Sequence, residues 1–425
     1  MTTHRLYEFL EENDVKFIRL SFCDLLGKQY NYSVMTNELP RIFEEGQPID
    51  ITSLPNFCSD FIEDVWLHPD INSLSLLPWR PHTNAVLRFY CNIKKSNDQP
   101  FICDTRNLLS QTMQHLDSLG FTSQISTHGE FYLFKTDEEG EPTLNTLDQG
   151  GYLDVSPLDK GENIRREICL CLEEMGLSPE SSHHEQGPGQ NQIDFMLANP
   201  LTAADHFLTF KSVVKSIASL NGLFASFMPK PFLHLPGNAL QLNINLLKNG
   251  VNLFEDINNP DYAIAQSFTA GILSKISEIT LFLNTLDNSY ERIGTFKAPQ
   301  TINWSTNNEK QLIKLPLNRK DKSCIELRSA DPCLNPYLAF TLILQAGIYG
   351  IENKLSLPDA LSNSVSTKLP TTLQEAIEHT KNSDFVKAIL PTKIIECYTK
   401  HSHFDYSLES CIKEKLYQER YFNTL

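Results

Sequence analysis

Residues 325–340 read IELRSADPCLNPYLAF, and this stretch decides the fold. Its first part belongs to a strand-like segment in which Glu326 and Arg328 alternate with apolar side chains, so that the two charged residues share one face. The residues that follow, NPYLAFTLILQAGIYGI (335–351), have the apolar pattern of a long helix. A strand with one polar face that leads into an apolar helix predicts a sheet backed by helices.

Two further strand-like segments carry polar side chains on a single face: THGEFYLF (127–134) and ALQLNINL (239–246). Their polar residues are His128, Glu130 and Tyr132 on the first, and Gln241, Asn243 and Asn245 on the second. One such face is typical of a half-exposed strand that meets water. Three such faces, together with the unusual stretch HHEQGPGQNQ (183–192), favour a cavity lined by polar groups.

Outward from these strands, the chain divides into two regions. After residue 100, long helical patterns alternate with short strands: ENIRREICLCLEEMG, TAADHFLTFKSVVKSIASL and AIAQSFTAGILSKISEITLFL. Before it, VKFIRLSF (15–22) and AVLRFYC (85–91) have strand patterns, and the polar stretch KKSNDQP (94–100) suits a boundary. A chain of 425 residues exceeds one ordinary core. We therefore predict an α+β fold with two domains, residues 1–97 and 98–425.

Composition limits the partners. Lys and Arg number 36 against 52 Asp and Glu, a formal charge of −16, which repels nucleic acid and anionic membrane surfaces. The N-terminus has no continuous apolar segment, and no long apolar window occurs, so a cytoplasmic, soluble protein is expected. The ten cysteines are scattered and form no C-x-x-C pair, which indicates free thiols rather than a zinc or disulfide framework.

Several motifs make the chain resemble the glutamine synthetase family. Besides those above, they are RLSFCDLLGK (19–28), IDITS (49–53), HPDINSLSLLPW (68–79), FMPKP (227–231), NSYERI (288–293), KAPQTINWS (297–305) and ERY (419–421), in the family's order. The resemblance implies an N-terminal β-grasp domain and a catalytic domain with a curved antiparallel sheet backed by helices. It also implies ATP-dependent ligation of ammonia to glutamate with Mg²⁺ or Mn²⁺.

The resemblance also implies six metal ligands, five Glu and one His, and here the set is only half kept. Glu130, Glu185 and Glu326 match, whereas His128 and Gln192 stand where the family has Glu and Gln241 stands where it has His. Mg²⁺ and Mn²⁺ favour carboxylate oxygens, and two negative charges have been lost. We therefore expect metal and ATP binding to be weakened or lost.

Other positions implied by the resemblance divide in the same way. Asp50 matches the family on the ammonium side of the site, and Arg292 and Arg328 match its arginines at the substrate and phosphate. Four positions are changed: Lys297 stands where the family has Glu, Glu309 and Lys314 stand where it has Arg, the latter near the nucleotide, and Asn245 stands where it has Ser. A carboxylate about 4 Å from a phosphoryl oxygen costs about 4 kcal/mol at an effective dielectric near 20. Relative to the family that the chain resembles, the charges at positions 297 and 309 are both inverted. We therefore predict that Lys297 and Glu309 face each other across the site.

Two functional interpretations follow. In the first, the chain keeps the scaffold, has weakened or lost glutamine synthesis, and acts through assembly or through binding, with a small molecule such as glutamate as the ligand. In the second, it is an active glutamate–ammonia or γ-glutamyl-amine ligase with an altered metal site. Both interpretations include a homo-oligomeric ring, a dodecamer in the family, with no nucleic-acid or membrane partner.

Overall fold

A computed structural model describes residues 3–57, 64–80, 83–96, 98–315, 323–360, 367–400 and 408–425. Within these ranges, no helix combines the length and the apolar composition that a membrane crossing requires. The expected domain boundary, residue 97, lies outside the described residues, so the division at 97/98 stays a prediction.

The N-terminal part forms a six-stranded sheet. Its elements are α1 (Thr3–Glu12), β1 (Val15–Cys23), β2 (Gln29–Met35), α2 (Leu39–Glu45), β3 (Gln47–Ile49), β4 (Val65–Pro69), β5 (Ser75–Leu76) and β6 (Ala85–Lys94), with 3₁₀ turns at Thr36–Glu38 and Ile71–Ser73. The strand order is β2-β1-β6-β4-β3, with β5 on β6. The two strands predicted at 15–22 and 85–91 are confirmed, and they pair in parallel at the centre.

A ten-stranded, mostly antiparallel curled sheet forms the larger part, in the order β14-β15-β16-β12-β7-β10-β9. Its strands are β7 (Phe121–Thr136), β8 (Pro142–Thr146), β9 (Pro179–His184), β10 (Gln190–Phe195), β11 (Leu223–Ser226), β12 (Leu240–Lys248), β13 (Val251–Asn252), β14 (Trp304–Ser305), β15 (Ile313–Lys314) and β16 (Ile325–Leu327). The α+β prediction, with a β-grasp domain before a catalytic-type domain, is confirmed.

Helices cover this sheet. They are α3 (Thr105–Ser118), α4 (Glu162–Glu174), α5 (Pro200–Leu220), α6 (Tyr262–Leu283), α7 (Asp287–Tyr290), α8 (Pro336–Glu352), α9 (Leu373–Asn382), α10 (Asp384–Ile389), α11 (Thr392–Thr399) and α12 (Ser410–Tyr421). Helices α6 and α8 are apolar nearly all round and cross closely at glycines. A Cβ on Gly271 would lie 2.1 Å from the carbonyl oxygen of Ala346, so only glycine permits this approach.

The start of α8 joins the two sheets. Asn335 caps the helix, because its Oδ1 accepts the backbone N–H of Tyr337 at 3.0 Å. Its Nδ2 donates to the carbonyl oxygens of Asp24 and Leu25 in the turn after β1, at 3.1 and 3.2 Å. The motif that decides the fold therefore also fixes the β-grasp sheet against the catalytic-type sheet.

Candidate active site

A cavity of about 220 Å³ opens where the polar faces of neighbouring strands meet. It is lined by Glu130 of β7, Gln192 of β10, Gln241 of β12 and Glu326 of β16. These strands are adjacent in the sheet, and Gln192 lies directly opposite Glu130. The cavity predicted from the three polar strand faces is therefore present, and residues of the HHEQGPGQNQ stretch line it as well.

The Glu130 carboxyl group is buried in this cavity near that of Glu185. Glu130 Oε2 accepts the backbone N–H of Ala239 at 2.8 Å and Nε2 of Gln190 at 3.1 Å. Burial, together with the charge of Glu185, raises the pKa of Glu130 to about 8. The Glu130 carboxyl group is therefore protonated at neutral pH unless a cation enters the cavity.

Gln192 lines the same cavity as these two carboxyl groups. Its Nε2 donates to Asp194 Oδ1 at 2.7 Å, and its buried Oε1 has no hydrogen-bond partner within the described ranges. An orphaned buried amide oxygen beside two carboxyl groups is a set of hard oxygen ligands. Glu130, Glu185 and Gln192 therefore form an oxygen set that could hold a single divalent cation, although Glu185 Oε1 also lies 3.0 Å from Nε2 of His183.

The other three expected ligands do not fit one. His128 has both ring nitrogens engaged, Nδ1 at 3.3 Å from Asp194 Oδ1 and Nε2 at 2.8 Å from Nδ2 of Asn243. Gln241 Oε1 accepts from NH1 of Arg328 at 3.3 Å, and Oε1 of Glu326 contacts the same NH1. A guanidinium and an engaged imidazole thus occupy the ligand atoms that a second cation would need.

Three charged side chains close the cavity as an ion cluster. Lys297 Nζ lies 3.5 Å from Glu309 Oε2, and Lys314 Nζ lies 3.4 Å from Glu309 Oε1. The predicted pairing of Lys297 with Glu309 is therefore confirmed. Burial opposes ionisation of Glu309, but the two lysines outweigh it and lower the pKa of this carboxyl group. Lys297 Nζ also lies 4.9 Å from the ring centre of Tyr152, within reach of a cation–π contact.

Arg292 is buried, lines the cavity and has unused donors. Its NH2 donates to Asn284 Oδ1 at 3.1 Å and to the carbonyl oxygen of Ala330 at 3.0 Å. Its Nε and NH1 have no acceptor within the part of the chain that the structure describes, and Nε of Arg328 is in the same situation. Buried guanidinium donors without partners can bind the carboxylate of a ligand.

His184 fixes the backbone at Glu185. Its Nδ1 lies 2.6 Å from the carbonyl oxygen of Glu185, and its Nε2 lies 3.0 Å from Asp148 Oδ1. Both neighbours are acceptors, so the imidazole donates twice and is charged. Asp159 lies close enough to complete a metal-like group of three, yet it pairs with Arg165. This group is therefore an ion-pair network that positions Glu185.

Three expected site residues do not line the cavity: His128, whose contacts are given above, Asp50 and Asn245. Asp50 is exposed, accepts from Thr52 and Ser53, and does not line this chain's cavity. Asn245, expected near a nucleotide, is buried and pairs with Gln124 across the sheet.

Three residues near the cavity were missed from the sequence: Asp148, Tyr152 and Asp194. Continuing the alternation from Gln190 and Gln192 would have reached Asp194. Asp148 and Tyr152 lie in a loop, where no periodic signal exists.

The chain is similar in sequence to known proteins over most of its length. The family description "Glutamine synthetase, beta-Grasp domain" matches residues 14–96, and "Glutamine synthetase, catalytic domain" matches residues 102–415. The glutamine synthetase of Staphylococcus aureus is 38% identical over 423 residues and covers 95% of each chain. That of Clostridium saccharobutylicum is 38% identical over 404 residues, covering 92% of this chain and 91% of the relative.

A solved structure of GmaS in complex with ADP is similar, with a TM-score of 0.83, 25% identity and coverage of 99% of this chain and 97% of that one. The family uses ATP and divalent metals, binds glutamate and generally forms oligomers. Both domain descriptions and the extent of the identity lead to one conclusion. The chain belongs to the glutamine synthetase family.

Proposed function

We propose that this glutamine synthetase homologue binds a glutamate-like amino acid in the cavity and that its phosphoryl transfer from ATP is weakened or lost. The observation that carries the proposal is the ion cluster of Lys297, Glu309 and Lys314. A carboxylate held in this position repels a transferring phosphoryl group, and the two lysines that could attract phosphate are already engaged with it.

Only part of the expected ligand set fits a divalent cation, which supports a weakened phosphoryl transfer from ATP. Glu130, Glu185 and Gln192 would hold one divalent cation, which supplies charge neutralisation for bound phosphate. The remaining three, His128, Gln241 and Glu326, are engaged with neighbouring side chains. With one such position instead of the family's full ligand set, less negative charge is available to hold metal and nucleotide together.

Arg292 supports retained binding of an amino acid. Its unused Nε and NH1 donors are buried beside the cavity and can bind a carboxylate in a charge-assisted manner. His184, through its contact with Glu185, would hold the cavity's floor without touching the ligand. The proposed assembly is a homo-oligomeric ring, a dodecamer, in which Asp50 of the 1–97 domain reaches a neighbouring subunit's 98–425 domain. Asp50 is exposed and lies away from this chain's own cavity, which supports that arrangement.

Thermal stabilisation tests this proposal. Glutamate should raise the melting temperature of the purified protein by mass action, and MnATP should raise it little. The double variant Lys297→Glu/Glu309→Arg restores the family's charges, and MnATP should stabilise it more than it stabilises the unchanged protein. Strong stabilisation of the unchanged protein by MnATP would contradict the proposal.

A second candidate function is an active amide-forming ligase with changed metal demand. The likeness to GmaS, described as a γ-glutamylmethylamide synthetase, over nearly the whole chain favours it, as does the fit of Glu130, Glu185 and Gln192 to one cation. ATP hydrolysis measured with glutamate and either ammonium or methylamine separates the two proposals. Hydrolysis that depends on methylamine would support the ligase.

A further inference from the structure

A second cavity, of about 570 Å³, lies between the turn after β1, helix α5 and the end of α12. Four basic side chains line it: Lys28, Lys211, Lys215 and Arg420. The described residues that line it include no Asp or Glu side chain. In a chain with a formal charge of −16, such a concentration of positive charge is unusual and needs an explanation.

Lys211 and Lys215 stand one helical turn apart on the same face of α5. Lys211 Nζ donates to the carbonyl oxygen of Pro332 at 2.9 Å and lies over the rings of Phe207 and Phe227. Lys215 is half-buried, and no carboxylate is among the described groups that act on its charge. The charges of Asp331 and Asp24 favour the charged form of Lys211, whereas the charge of Lys211 disfavours that of Lys215. An anion between the two ammonium groups would reduce their repulsion.

The other two basic side chains differ in how far a neighbouring carboxylate compensates their charge. Arg420 pairs with Asp287 at 3.0 Å, so its charge is largely compensated. Lys28 is exposed at the rim, with its Nζ 5.4 Å from the ring centre of Tyr30. Lys215, inside the cavity, and Lys28, at its entrance, are therefore the cations available to an incoming ligand.

The rest of the lining is mixed. Ser212 and Thr424 line the cavity, but their hydroxyl groups already donate, to Gln29 Oε1 at 2.8 Å and to the carbonyl oxygen of Tyr421 at 3.1 Å, while Leu208 and Leu286 provide apolar contact. Lysines bind phosphate as point charges, and a phosphate dianion matches two ammonium groups better than a single carboxylate does. We propose that this cavity is a binding site for a small organic phosphate with a compact apolar part, separate from the candidate active site.

Calorimetric titration with phenyl phosphate, at constant ionic strength with sulfate as the salt control, tests this proposal. We expect saturable binding with one molecule per chain. Lys215→Gln should weaken it about tenfold, the effect of one lost charge contact of about 1.4 kcal/mol, whereas Lys215→Arg should retain most of it. Lys135→Gln, an exposed lysine that does not line the cavity, is the matched control.

Lys314→Gln distinguishes the two cavities, because Lys314 lines only the candidate active site. Unchanged binding in this variant supports the proposal. Loss of binding in Lys314→Gln but not in Lys215→Gln would assign the phosphate to the active site and overturn it. Absence of saturable binding at millimolar phenyl phosphate, or equal binding by a folded Lys215→Gln variant, would also overturn it.

The pH dependence gives a second readout. Burial and the charge of Lys211 lower the pKa of Lys215 to about 8, while Lys28, Arg420 and the Cys333 thiol also face the cavity. Burial raises the pKa of Cys333, so this thiol stays neutral and adds no charge. Affinity should therefore fall as pH rises through 8, and this fall should be smaller in Lys215→Arg.

Discussion

Lys297 Nζ and Glu309 Oε2 lie 3.5 Å apart in the lining of the candidate active site. Each side chain is nearly half exposed, at 44% and 49%. An exposed pair of this kind contributes about 0–1 kcal/mol to stability. We therefore expect the pair to act mainly on which ions the cavity accepts.

Inverting the pair should change ligand binding without changing stability. Lys297→Glu/Glu309→Arg should alter the free energy of unfolding by less than about 1 kcal/mol, yet increase the affinity for a nucleotide triphosphate. Denaturant titration and calorimetry with MnATP measure the two quantities. The same exchange of charges at Lys94 and Asp98, an exposed pair outside the cavity, serves as control. Equal nucleotide affinity in the inverted variant and the unchanged protein would refute the role given to Glu309.

Gln192→Glu should create a third carboxylate at the position that fits a cation. Without metal, the new carboxylate faces Asp194, which now accepts from the Gln192 amide at 2.7 Å, so the melting temperature should fall. Mn²⁺ should then raise the melting temperature of this variant more than that of the unchanged protein. We expect Mn²⁺ to bind the variant at least about ten times more tightly, which corresponds to about 1.4 kcal/mol of binding free energy.

Gln241→Glu is the matched control for that variant, because its side chain lies beside Arg328 instead. We expect little gain in Mn²⁺ affinity there, since the guanidinium pairs with the new carboxylate. If Gln241→Glu increased the Mn²⁺ affinity more than Gln192→Glu, the cation would not be held by Glu130, Glu185 and Gln192.

Arg292→Lys should remove the stabilisation by glutamate. Lysine cannot replace the Nε and NH1 donors that lack partners beside the cavity. Arg165→Lys is a control of similar burial, because Arg165 pairs with Asp159 and does not line the cavity. Both variants should lose stability, but only Arg292→Lys should lose the glutamate-dependent rise in melting temperature. A retained rise would place glutamate elsewhere.

The Asp148–His184 pair should give stability a defined pH dependence. The pKa of Asp148 is lowered to about 2: burial opposes ionisation, but the hydrogen bond from His184 and three backbone N–H groups outweigh it. Because its folded-state pKa is below the ordinary aspartate value of 3.8, this contribution is present above pH 4 and is lost as pH falls towards 2. The pKa of His184 is raised above 6.5; burial opposes the charge, but Asp148 and the Glu185 carbonyl outweigh it.

His184 therefore stabilises the fold below pH 6.5, and its contribution is lost as pH rises through the folded-state pKa. Asp148→Asn leaves a buried imidazolium unpaired and should cost about 3–5 kcal/mol near pH 6. Denaturant titrations from pH 3 to 9 should show this difference shrinking at both ends. A difference that does not vary with pH would mean that the pair is not ionised as described.

Local periodicity explains which features the sequence could predict. Alternation of polar and apolar side chains has the period of a strand, so it gave the correct faces for Glu130, Gln241 and Glu326. The apolar pattern likewise identified α6 and α8. The pairing of Lys297 with Glu309 was predictable because two charges changed together in a known pattern.

Contacts made by irregular segments were not predictable in this way. Asp148 meets His184 only because the loop before α4 folds back on β9, and no residue spacing specifies that path. The engagement of His128 by Asp194 and Asn243 depends on three strands at once. The cavity near Lys215 combines segments from both ends of the chain, so only the folded structure reveals it.

The turnover for glutamine formation from glutamate, ammonium and ATP, with Mg²⁺ and with Mn²⁺, tests the central claim most directly. The Staphylococcus aureus relative, assayed in parallel, provides the reference for an enzyme of the family. We predict a rate roughly a thousandfold or more below that reference, as a barrier raised by about 4 kcal/mol implies. Turnover of several per second with either metal would contradict the account.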